Sequence, residues 1–437
     1  MISRRLQRAC AWRGWRPTSA TRSVRAIWPR ISAVACSMRF FSASWPFRFS
    51  STAGFVRKWF KASLAEREPM KPKVARAVVY APHFAEYSTR LAFALGEAAE
   101  VLLILDRLNR EQEVEPALLA ALPARVQWME FESVGRFARM VSLVHIVLRV
   151  LAFRPHVIFM QEQIDALSAW VARTTGRVFP ILLTVHDPAP HSGNDAQYVI
   201  DNAQNRRVLR ATARAYHVHG PFCRRQLRRE IEGDKPIVET AHGIILVSDS
   251  SARLDPEQGR ILMFGRMEAY KGLDVLINAI GLLESRNIPH HLVIAGRGPE
   301  LDRLAPTLAA RRSVEIVNAY LTPSEASRQF QRASIVVTPY VNATQSGVVA
   351  AAFGNGRPVV ASNTGGLADA VVHEANGLLA PPGDALALAD VLQRALCDVP
   401  LLQHITRGAE ASATRAFAWR TVAHSLTAFH QSTISGA

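Results

Sequence analysis

An arginine and a lysine lie five residues apart after a short apolar segment in the second half of the chain. Residues 261–264 are apolar, Gly265 interrupts them, and Arg266 and Lys271 precede a stretch in which apolar residues recur at helical spacing. This pattern predicts a buried strand that turns into a helix, with both cations at the carboxyl end of the strand, where open α/β sheets bind ligands. A guanidinium binds oxygens bidentately and an ammonium acts as a point charge, so we expect the pair to bind a diphosphate. Taken alone, the segment also fits two solvated loop cations.

A second candidate anion site follows the apolar segment 335–338. Gln345, Ser346 and Gly347 come directly before Val348, which begins an apolar stretch of helical character. The free N–H groups of Ser346, Gly347 and Val348 would open a helix, whose dipole favours an anion at that end. Gly347 would also let the backbone approach a phosphate closely. We therefore expect residues 345–348 to bind part of a phosphorylated ligand.

Two glycine-containing turns complete this pattern. Gly296 and Gly298 follow the apolar segment 292–295, and residues 356–362 lead into a Gly-Gly pair and Asp369. Each turn is common on its own. The four features become specific because they occur in this order within about a hundred residues.

Apolar segments alternate with helical patterns from residue 74 onwards. The first series of predicted strands covers residues 77–80, 101–105, 126–131, 156–160, 181–185 and 216–218. The second series covers residues 260–264, 291–295, 314–317, 335–338, 358–361 and 377–379. Such alternation predicts two parallel, doubly wound α/β sheets. Residues 240–260, rich in Gly, Ser, Asp and Pro, read as the linker between them, so we expect a cleft that faces the carboxyl ends of both sheets.

The first 69 residues differ in composition from the rest. They contain fourteen Arg or Lys and two Glu, a net charge of +12 out of +16 for the whole chain, so only +4 remains for residues 70–437. The basic excess is therefore weak evidence for nucleic-acid binding, and we expect no nucleic-acid partner. We interpret residues 1–69 as a basic leader that is disordered or not translated, with translation starting at Met70. A mitochondrial transit peptide and a basic membrane-surface segment are the alternatives.

Cysteines and hydropathy exclude some classes of protein. The four cysteines are far apart in the sequence, which fits a reducing compartment and neither a disulfide framework nor a zinc spacing. Residues 140–148 are the best candidate for a membrane span, and they are too short and flanked by arginines. Residues 137–153 fit an amphipathic helix that could touch a membrane surface.

In their order and spacing these features resemble the retaining glycosyltransferases of the GT-B fold, in particular the glycogen-synthase-like group of the glycosyltransferase family 4 type. The resemblance covers residues 74 to about 430 and is strongest over 261–384. It implies two Rossmann-like domains that face each other across a cleft. Residues 70–245 would form the acceptor-side domain, residues 246–415 the domain that binds the nucleotide sugar, and residues 416–437 a helix that packs back towards the first domain.

The resemblance also implies roles for individual residues. Arg266 and Lys271 match the family residues that hold the donor diphosphate. His186, at the end of the predicted strand 181–185, matches a histidine that touches the donor sugar; a turn histidine bonded to Asp187 is the alternative. We expect catalytic roles for these three residues. The donor-binding positions that we expect are Gly265, Gly298, Gln345, Ser346, Gly347, Val348 and Asp369.

The sequence departs from the family pattern at two positions. The family carries two glutamates, eight residues apart, that contact the donor sugar and the nucleotide ribose, and the matching residues are Ala343 and Ala351. Gln345 is a candidate substitute, because Gln-Ser-Gly resembles a variant found in transferases of bacterial polysaccharide assembly. The departure leaves the identity of the donor, and catalysis itself, open.

Four further histidines lie near predicted strand ends or the linker. Neither a paired carboxylate nor a His-x-x-His spacing supports a metal site, so we expect each of them to be structural and the site to contain no metal. They are His191, His217, His219 and His242.

The expected function is sugar transfer from a nucleotide-diphosphate donor to a glycan or lipid-linked acceptor in polysaccharide biosynthesis. The resemblance implies retention, and fixed cations with helix N–H groups can stabilise a diphosphate leaving group without a metal or cofactor. We expect a cytoplasmic protein, with peripheral contact at the inner face of the membrane left open. The alternatives are a nucleotide-sugar epimerase or hydrolase, and a non-catalytic GT-B-like binding subunit.

Overall fold

The computed structural model describes residues 76–189, 194–247 and 254–434, and the predicted leader lies outside these ranges. The first domain contains a seven-stranded sheet in the order β3-β2-β1-β4-β5-β6-β7, with every pair parallel. The central strands are apolar and almost fully buried, as expected for a sheet covered on both faces. Its strands are β1 (Arg76–Ala81), β2 (Glu100–Asp106), β3 (Val126–Phe131), β4 (Val157–Gln161), β5 (Ile181–Val185), β6 (Ala215–His219) and β7 (Ile237–Thr240).

Helices cover both faces of this sheet. Two of them begin at aspartate caps: Asp106 accepts a hydrogen bond from the N–H of Asn109, and Asp165 accepts one from the N–H of Ser168. Because Asp106 is also the last residue of β2, the chain turns from strand to helix without a loop. The helices are α1 (Ala85–Gly96), α2 (Arg107–Glu113), α3 (Pro116–Ala120), α4 (Arg136–Phe153), α5 (Ala166–Thr175), α6 (Asn194–Asp201), α7 (Ala203–Thr212) and α8 (Gly220–Glu230).

The second domain repeats the design with a six-stranded parallel sheet in the order β10-β9-β8-β11-β12-β13. Its strands are β8 (Arg260–Phe264), β9 (His291–Ala295), β10 (Val314–Val317), β11 (Ile335–Thr338), β12 (Val359–Ser362) and β13 (Gly377–Ala380). Its helices are α9 (Leu273–Ser285), α10 (Pro299–Ala309), α11 (Pro323–Arg332), α12 (Gly347–Gly354), α13 (Leu367–Ala370), α14 (Ala385–Cys397) and α15 (Val399–Thr414).

After α15 the chain crosses back to the first domain. Helix α16 (Trp419–Phe429) packs on α1 and β7, and Val422 and Leu426 lie in the same apolar core as Leu91. The first crossing between the domains is the segment that connects β7 to β8, here called the crossing segment. The indole N–H of Trp419 donates a 2.7 Å hydrogen bond to the carbonyl oxygen of Ile244 in this segment. The domains are therefore joined at two neighbouring crossings.

The sequence prediction of two doubly wound Rossmann-like sheets is confirmed. Strand β7 was not predicted, because it is a four-residue edge strand with the polar Glu239 in its middle and it leads directly into the expected linker. Among the helices of the described residues, none is both long enough and apolar enough to cross a membrane.

Candidate donor-binding site

A cavity of about 350 Å³ lies between the carboxyl ends of the two sheets. The first domain contributes α1 and α2, and the segment between β7 and β8 contributes three residues. The second domain contributes the turns after β8, β9 and β10 and the starts of α11 and α12. The lining residues are Phe84, Glu86, Tyr87, Gln112, Glu113, His242, Ile245, Leu246, Phe264, Gly265, Arg266, Gly296, Arg297, Ala319, Tyr320, Leu321, Pro323, Ala326, Gln345 and Gly347.

The two predicted cations take different positions at the end of β8. Arg266 is exposed and lines the cavity, whereas Lys271 is only 6% exposed. The ammonium of Lys271 donates to the carbonyl oxygen of Phe264 at 3.3 Å and lies over the ring of Tyr340. Burial and the nearby charge of Arg266 lower the pKa of Lys271 to about 7. Lys271 is thus a desolvated amine, directly behind the cavity wall, that a bound anion would favour in its charged form.

Gly265 separates Lys271 from the cavity. Its φ is +107°, which favours glycine, and a Cβ at this position would lie 2.7 Å from the ammonium of Lys271 and 3.9 Å from Val348. Because glycine has no side chain, an oxygen of a ligand in the cavity can approach the ammonium across this residue. Gly265 therefore gives a ligand in the cavity access to the ammonium of Lys271.

The glycine turn after β9 brings a third cation to the cavity. Gly298 has a φ of +153°, and its Cα packs so closely on Met267 that a Cβ would lie 2.5 Å from the carbonyl oxygen of that residue. The N–H of Met267 also donates to the carbonyl oxygen of Arg297 at 2.8 Å. This contact joins the β8 and β9 turns, so that the exposed side chains of Arg266 and Arg297 line the same cavity.

Residues 345–348 lead into helix α12. Ser346 has an extended conformation at the N-cap and its side chain does not cap the helix, so the first N–H groups have no side-chain partner. Gln345 and Gly347 line the cavity. The side-chain oxygen of Gln345 is buried and accepts no hydrogen bond, which costs about 1–3 kcal/mol unless a ligand donates to it.

The two alanines at the family's glutamate positions are buried. Ala343 is 1% exposed and Ala351 is fully buried in the core beneath α12, and neither lines the cavity. The cavity therefore contains no carboxylate from these two positions.

His186 lies at the end of β5 under the ring of Phe84. The two rings stack with centroids 4.0 Å apart, and the imidazole is 3% exposed. Phe84 has a left-handed backbone, φ 60°, which is uncommon for an aromatic residue and costs about 1 kcal/mol or more. The structure uses this conformation to place the ring between His186 and the cavity, and His186 itself is not among the lining residues.

Three more buried histidines surround His186 or its neighbours. The ring centroid of His219 lies 4.8 Å from those of both His186 and His242, and His217 follows at 4.9 Å from His219. Burial lowers the pKa of all four, to about 3 for His217 and about 4 for His242. All four rings are therefore neutral at pH 7. His191 lies outside the described residues.

Asp369 connects the domains away from the cavity lining. Its carboxylate accepts a 2.6 Å hydrogen bond from the N–H of Phe222 at the start of α8. A second connection joins Thr344 to Asp187, with the threonine hydroxyl as donor. Both contacts link the predicted donor side of the second domain to strand ends of the first.

Several cavity residues were not predicted as site residues. Two of them lie in segments that the sequence analysis had identified: Arg297 lies in a glycine turn, and His242 lies in the linker. Glu86 had no sequence signal: its carboxylate is buried, burial raises its pKa, and it accepts hydrogen bonds from Arg90 and from the N–H of Leu246. Glu86 therefore fastens the crossing segment to α1.

Comparison with known proteins identifies a family match within the second domain. Residues 258–398 match the family described as Glycosyl transferases group 1. The chain is 33% identical to D-inositol 3-phosphate glycosyltransferase of Jonesia denitrificans over 190 residues, which are 41% of this chain and 44% of that protein. It is 31% identical to glycogen synthase of Mycobacterium tuberculosis over 165 residues, 37% of this chain and 40% of that protein. The chain thus spans less than half the length of these curated relatives.

Solved structures resemble a larger share of the chain. Sucrose-phosphate synthase from Thermosynechococcus elongatus superposes with a TM-score of 0.63 at 18% identity, over 84% of this chain and 100% of that one. Anabaena HepE in complex with UDP-glucose gives 0.59 at 17% identity, over 83% and 100%. These likenesses concern the fold. Residues 258–398 therefore match the Glycosyl transferases group 1 family, within a chain that has the two-domain GT-B fold.

Proposed function

We propose that this protein is a glycosyltransferase that moves a sugar from a nucleotide-diphosphate donor to a glycan or lipid-linked acceptor in polysaccharide biosynthesis. One observation carries the proposal: two arginines, a buried lysine and an uncapped helix start converge on one cavity between two Rossmann-like domains. This is the arrangement that a leaving diphosphate needs.

The diphosphate would lie against the second domain. Arg266 and Arg297 would bind its outer oxygens, and the ammonium of Lys271 would face it across Gly265. The N–H groups at the start of α12 would bind the remaining oxygens. With three cations and a helix dipole in place, we propose that no divalent ion is needed at the diphosphate.

The sugar would lie between Gln345 and the first domain. The unpartnered side-chain oxygen of Gln345 would accept a hydrogen bond from a sugar hydroxyl, in place of the carboxylates lost at Ala343 and Ala351. His186 stays a predicted contact of the sugar. Because Phe84 covers it, contact would require that ring to move when the donor binds.

We propose transfer with retention. The bond between the anomeric carbon and the phosphate oxygen breaks, and an acceptor hydroxyl forms the new bond on the same face of the sugar. The leaving phosphate takes the hydroxyl proton, and the cations stabilise the charge that develops. The buried carboxylate of Glu86 is engaged by Arg90 and Leu246, which disfavours it as a nucleophile.

Helix α4 supports a membrane-bound acceptor. Phe137, 75% exposed, begins an apolar stripe that continues at helical spacing through Met140, Val141, Val144 and Leu148. Exposed Arg136, Arg139 and Arg149 flank the stripe. An apolar face bordered by arginines suits a bilayer with anionic lipids, and we propose that α4 holds the protein at the cytoplasmic membrane face.

A donor screen tests the proposal. Thermal shift of the full chain against a panel of nucleoside diphosphates selects the base, and a ligand at 100 times its Kd stabilises by about 2.7 kcal/mol. UDP-glucose is the first sugar donor to test, since it is bound in the Anabaena relative. Release of the nucleoside diphosphate that depends on an acceptor supports a transferase, whereas the same release without acceptor supports a hydrolase.

A non-catalytic binding subunit is the second candidate function, because Ala343 and Ala351 stand where the family has glutamates. It predicts nucleotide affinity without turnover against every acceptor. Arg266→Ala would then weaken nucleotide binding and change no reaction rate.

A further inference from the structure

Three histidines from separate parts of the first domain meet at the edge of the cavity. His186 directly follows β5, His219 is the last residue of β6, and His242 lies two residues after β7. Because these parallel strands are neighbours in the sheet, their carboxyl ends lie side by side. One ring nitrogen from each of the three lies within 4.8 Å of the others, and all three residues are buried.

The ring nitrogens in this cluster lack protein partners to an unusual degree. Neither nitrogen of His219 makes a hydrogen bond of good geometry, although the backbone of Ala241 lies near its ring, and Nδ1 of His186 has no partner. The hydroxyl of Tyr87, whose ring lies edge-on to all three imidazoles, is also buried and unpartnered. Buried polar atoms normally make hydrogen bonds, so several unpartnered polar atoms in one cluster indicate that the cluster binds a ligand.

His186 and His242 each use one ring nitrogen in a hydrogen bond to a protein oxygen, as metal-binding histidines commonly do. Nε2 of His186 lies 2.9 Å from the side-chain oxygen of Gln161, and Nδ1 of His242 lies 2.8 Å from the carbonyl oxygen of Gly243. Both oxygens can only accept, so these nitrogens carry the protons. The opposite nitrogens, Nδ1 of His186 and Nε2 of His242, then present lone pairs, which is the usual outer-shell arrangement of a metal-binding histidine.

We propose that His186, His219 and His242 bind a divalent transition metal, with zinc as the best match. Three neutral imidazoles are a common zinc ligand set, with zinc–nitrogen bonds of about 2.1 Å. A tetrahedral ion needs ligand nitrogens about 3.4 Å apart. The present nitrogens lie within 4.8 Å of one another, so metal binding requires the three side chains to move closer together. The fourth position goes to a water molecule.

This site adjoins the diphosphate site but uses different residues. His242 and Tyr87 line the first-domain side of the cavity, and Nε2 of His242 lies 3.9 Å from the position that a Cβ on Gly347, at the start of α12, would occupy. The proposal also gives His186 a role that does not require it to reach the sugar. It stands independently of the proposed transferase function, because metal content is measured without a substrate.

A neighbouring histidine provides the matched control. His217 is as deeply buried as the three ligands, but its Nδ1 contacts the hydroxyl of Thr184 at 3.2 Å and its Nε2 contacts that of Thr240 at 2.8 Å. Both nitrogens are occupied, so His217 is not a ligand. Substituting it removes an equally buried imidazole from the same sheet.

The test is elemental analysis of the full chain produced without a histidine tag. Wild type and His217→Asn should carry about one zinc ion per chain after gel filtration, whereas His219→Ala and His242→Ala should carry less than about a tenth of that. Cobalt-loaded wild type should show the visible bands of a tetrahedral site, and both ligand variants should lose them. Folding of each variant is checked by circular dichroism.

Two results overturn the proposal. The first is folded wild type that holds no zinc even after equimolar zinc is added, in which case ordered water fills the cluster. The second is a folded His219→Ala or His242→Ala variant that keeps its zinc. If His219→Ala does not fold, the decision rests on His242→Ala, because His242 faces the cavity and its loss opens no closed void.

Discussion

The ammonium of Lys271 lies 3.3 Å from the carbonyl oxygen of Phe264, so the lysine is anchored to the strand it follows. With its pKa near 7, a substantial fraction of the lysine is neutral at pH 7.5. A bound diphosphate favours the charged form, and binding above pH 7 therefore takes up a proton. The affinity for a nucleoside diphosphate should fall up to tenfold per pH unit above pH 7.

Calorimetry in buffers of different ionisation enthalpy measures that proton uptake. Lys271→Arg should abolish the uptake, since a guanidinium stays charged. The stability of the free protein should change with pH in the opposite direction to its affinity. Between pH 7 and the ordinary lysine pKa of 10.5 the folded state binds fewer protons than the unfolded state. The free energy of unfolding should therefore rise with pH over this range. A wild-type affinity that does not change from pH 7 to 9 would contradict the assignment.

Arg266→Ala should lower kcat/KM by roughly a hundredfold, the scale of losing one donor that stabilises a developing charge. The side chain is exposed, so the melting temperature should barely change. Arg303→Ala is the control, because Arg303 is also exposed but pairs with Glu300 and does not line the cavity. Equal loss in both variants would mean a general electrostatic effect.

Gly347→Val should weaken donor binding more than it weakens folding. A Cβ at this position would lie 3.2 Å from the end of the Ile245 side chain, which can move, and would narrow the cavity at the start of α12. Gly347→Ala should give a smaller effect in the same direction. Titration with the best nucleoside diphosphate and thermal melting separate the two quantities, and a melting loss without an affinity loss would show that the glycine is structural.

Ala351→Glu should destabilise the fold by about 4 kcal/mol or more, because it buries an unpaired carboxylate in a closed core. Ala351→Ser, which is small and polar, should cost far less. Denaturant unfolding measures both. A folded Ala351→Glu protein with greatly increased affinity for a nucleotide sugar would instead mean that the site has decayed from the family pattern.

Phe137→Asp combined with Val144→Asp should reduce co-sedimentation with vesicles that contain anionic lipid. The substitutions place charges in the middle of the exposed stripe of α4, and neither side chain is buried. Leu386→Asp is the control, since Leu386 is a similarly exposed apolar residue on α14. Unchanged vesicle binding of the double variant would remove α4 as the membrane contact.

Most of the architecture followed from apolar periodicity. Buried parallel strands are apolar throughout, so their positions were visible one by one, and only the polar edge strand β7 was missed. The positions of Arg266 and Lys271 were predictable because a strand end and a glycine fix where these two residues lie, whereas Arg297 was not predicted as a cavity residue. The left-handed conformation of Phe84 was not predictable, because nothing in the residue type favours it.

The histidine cluster shows the remaining limit. Each histidine was seen near a strand end, but their mutual distance depends on which strands are neighbours, and strand order is set by the packing of the whole sheet. Likewise, the role of Asp369 in a hydrogen bond to Phe222 depends on how the two domains meet. Contacts between distant segments carry no local sequence signal.

The return of helix α16 to the first domain has a consequence for synthesis on the ribosome. Residues 419–429 complete the core around Leu91, yet they are translated only after the entire second domain. Until they emerge, the first domain exposes the apolar surface that α16 will cover, on α1 and β7. The second domain can therefore fold before the first domain is complete. The first domain, although it is translated first, completes its core last.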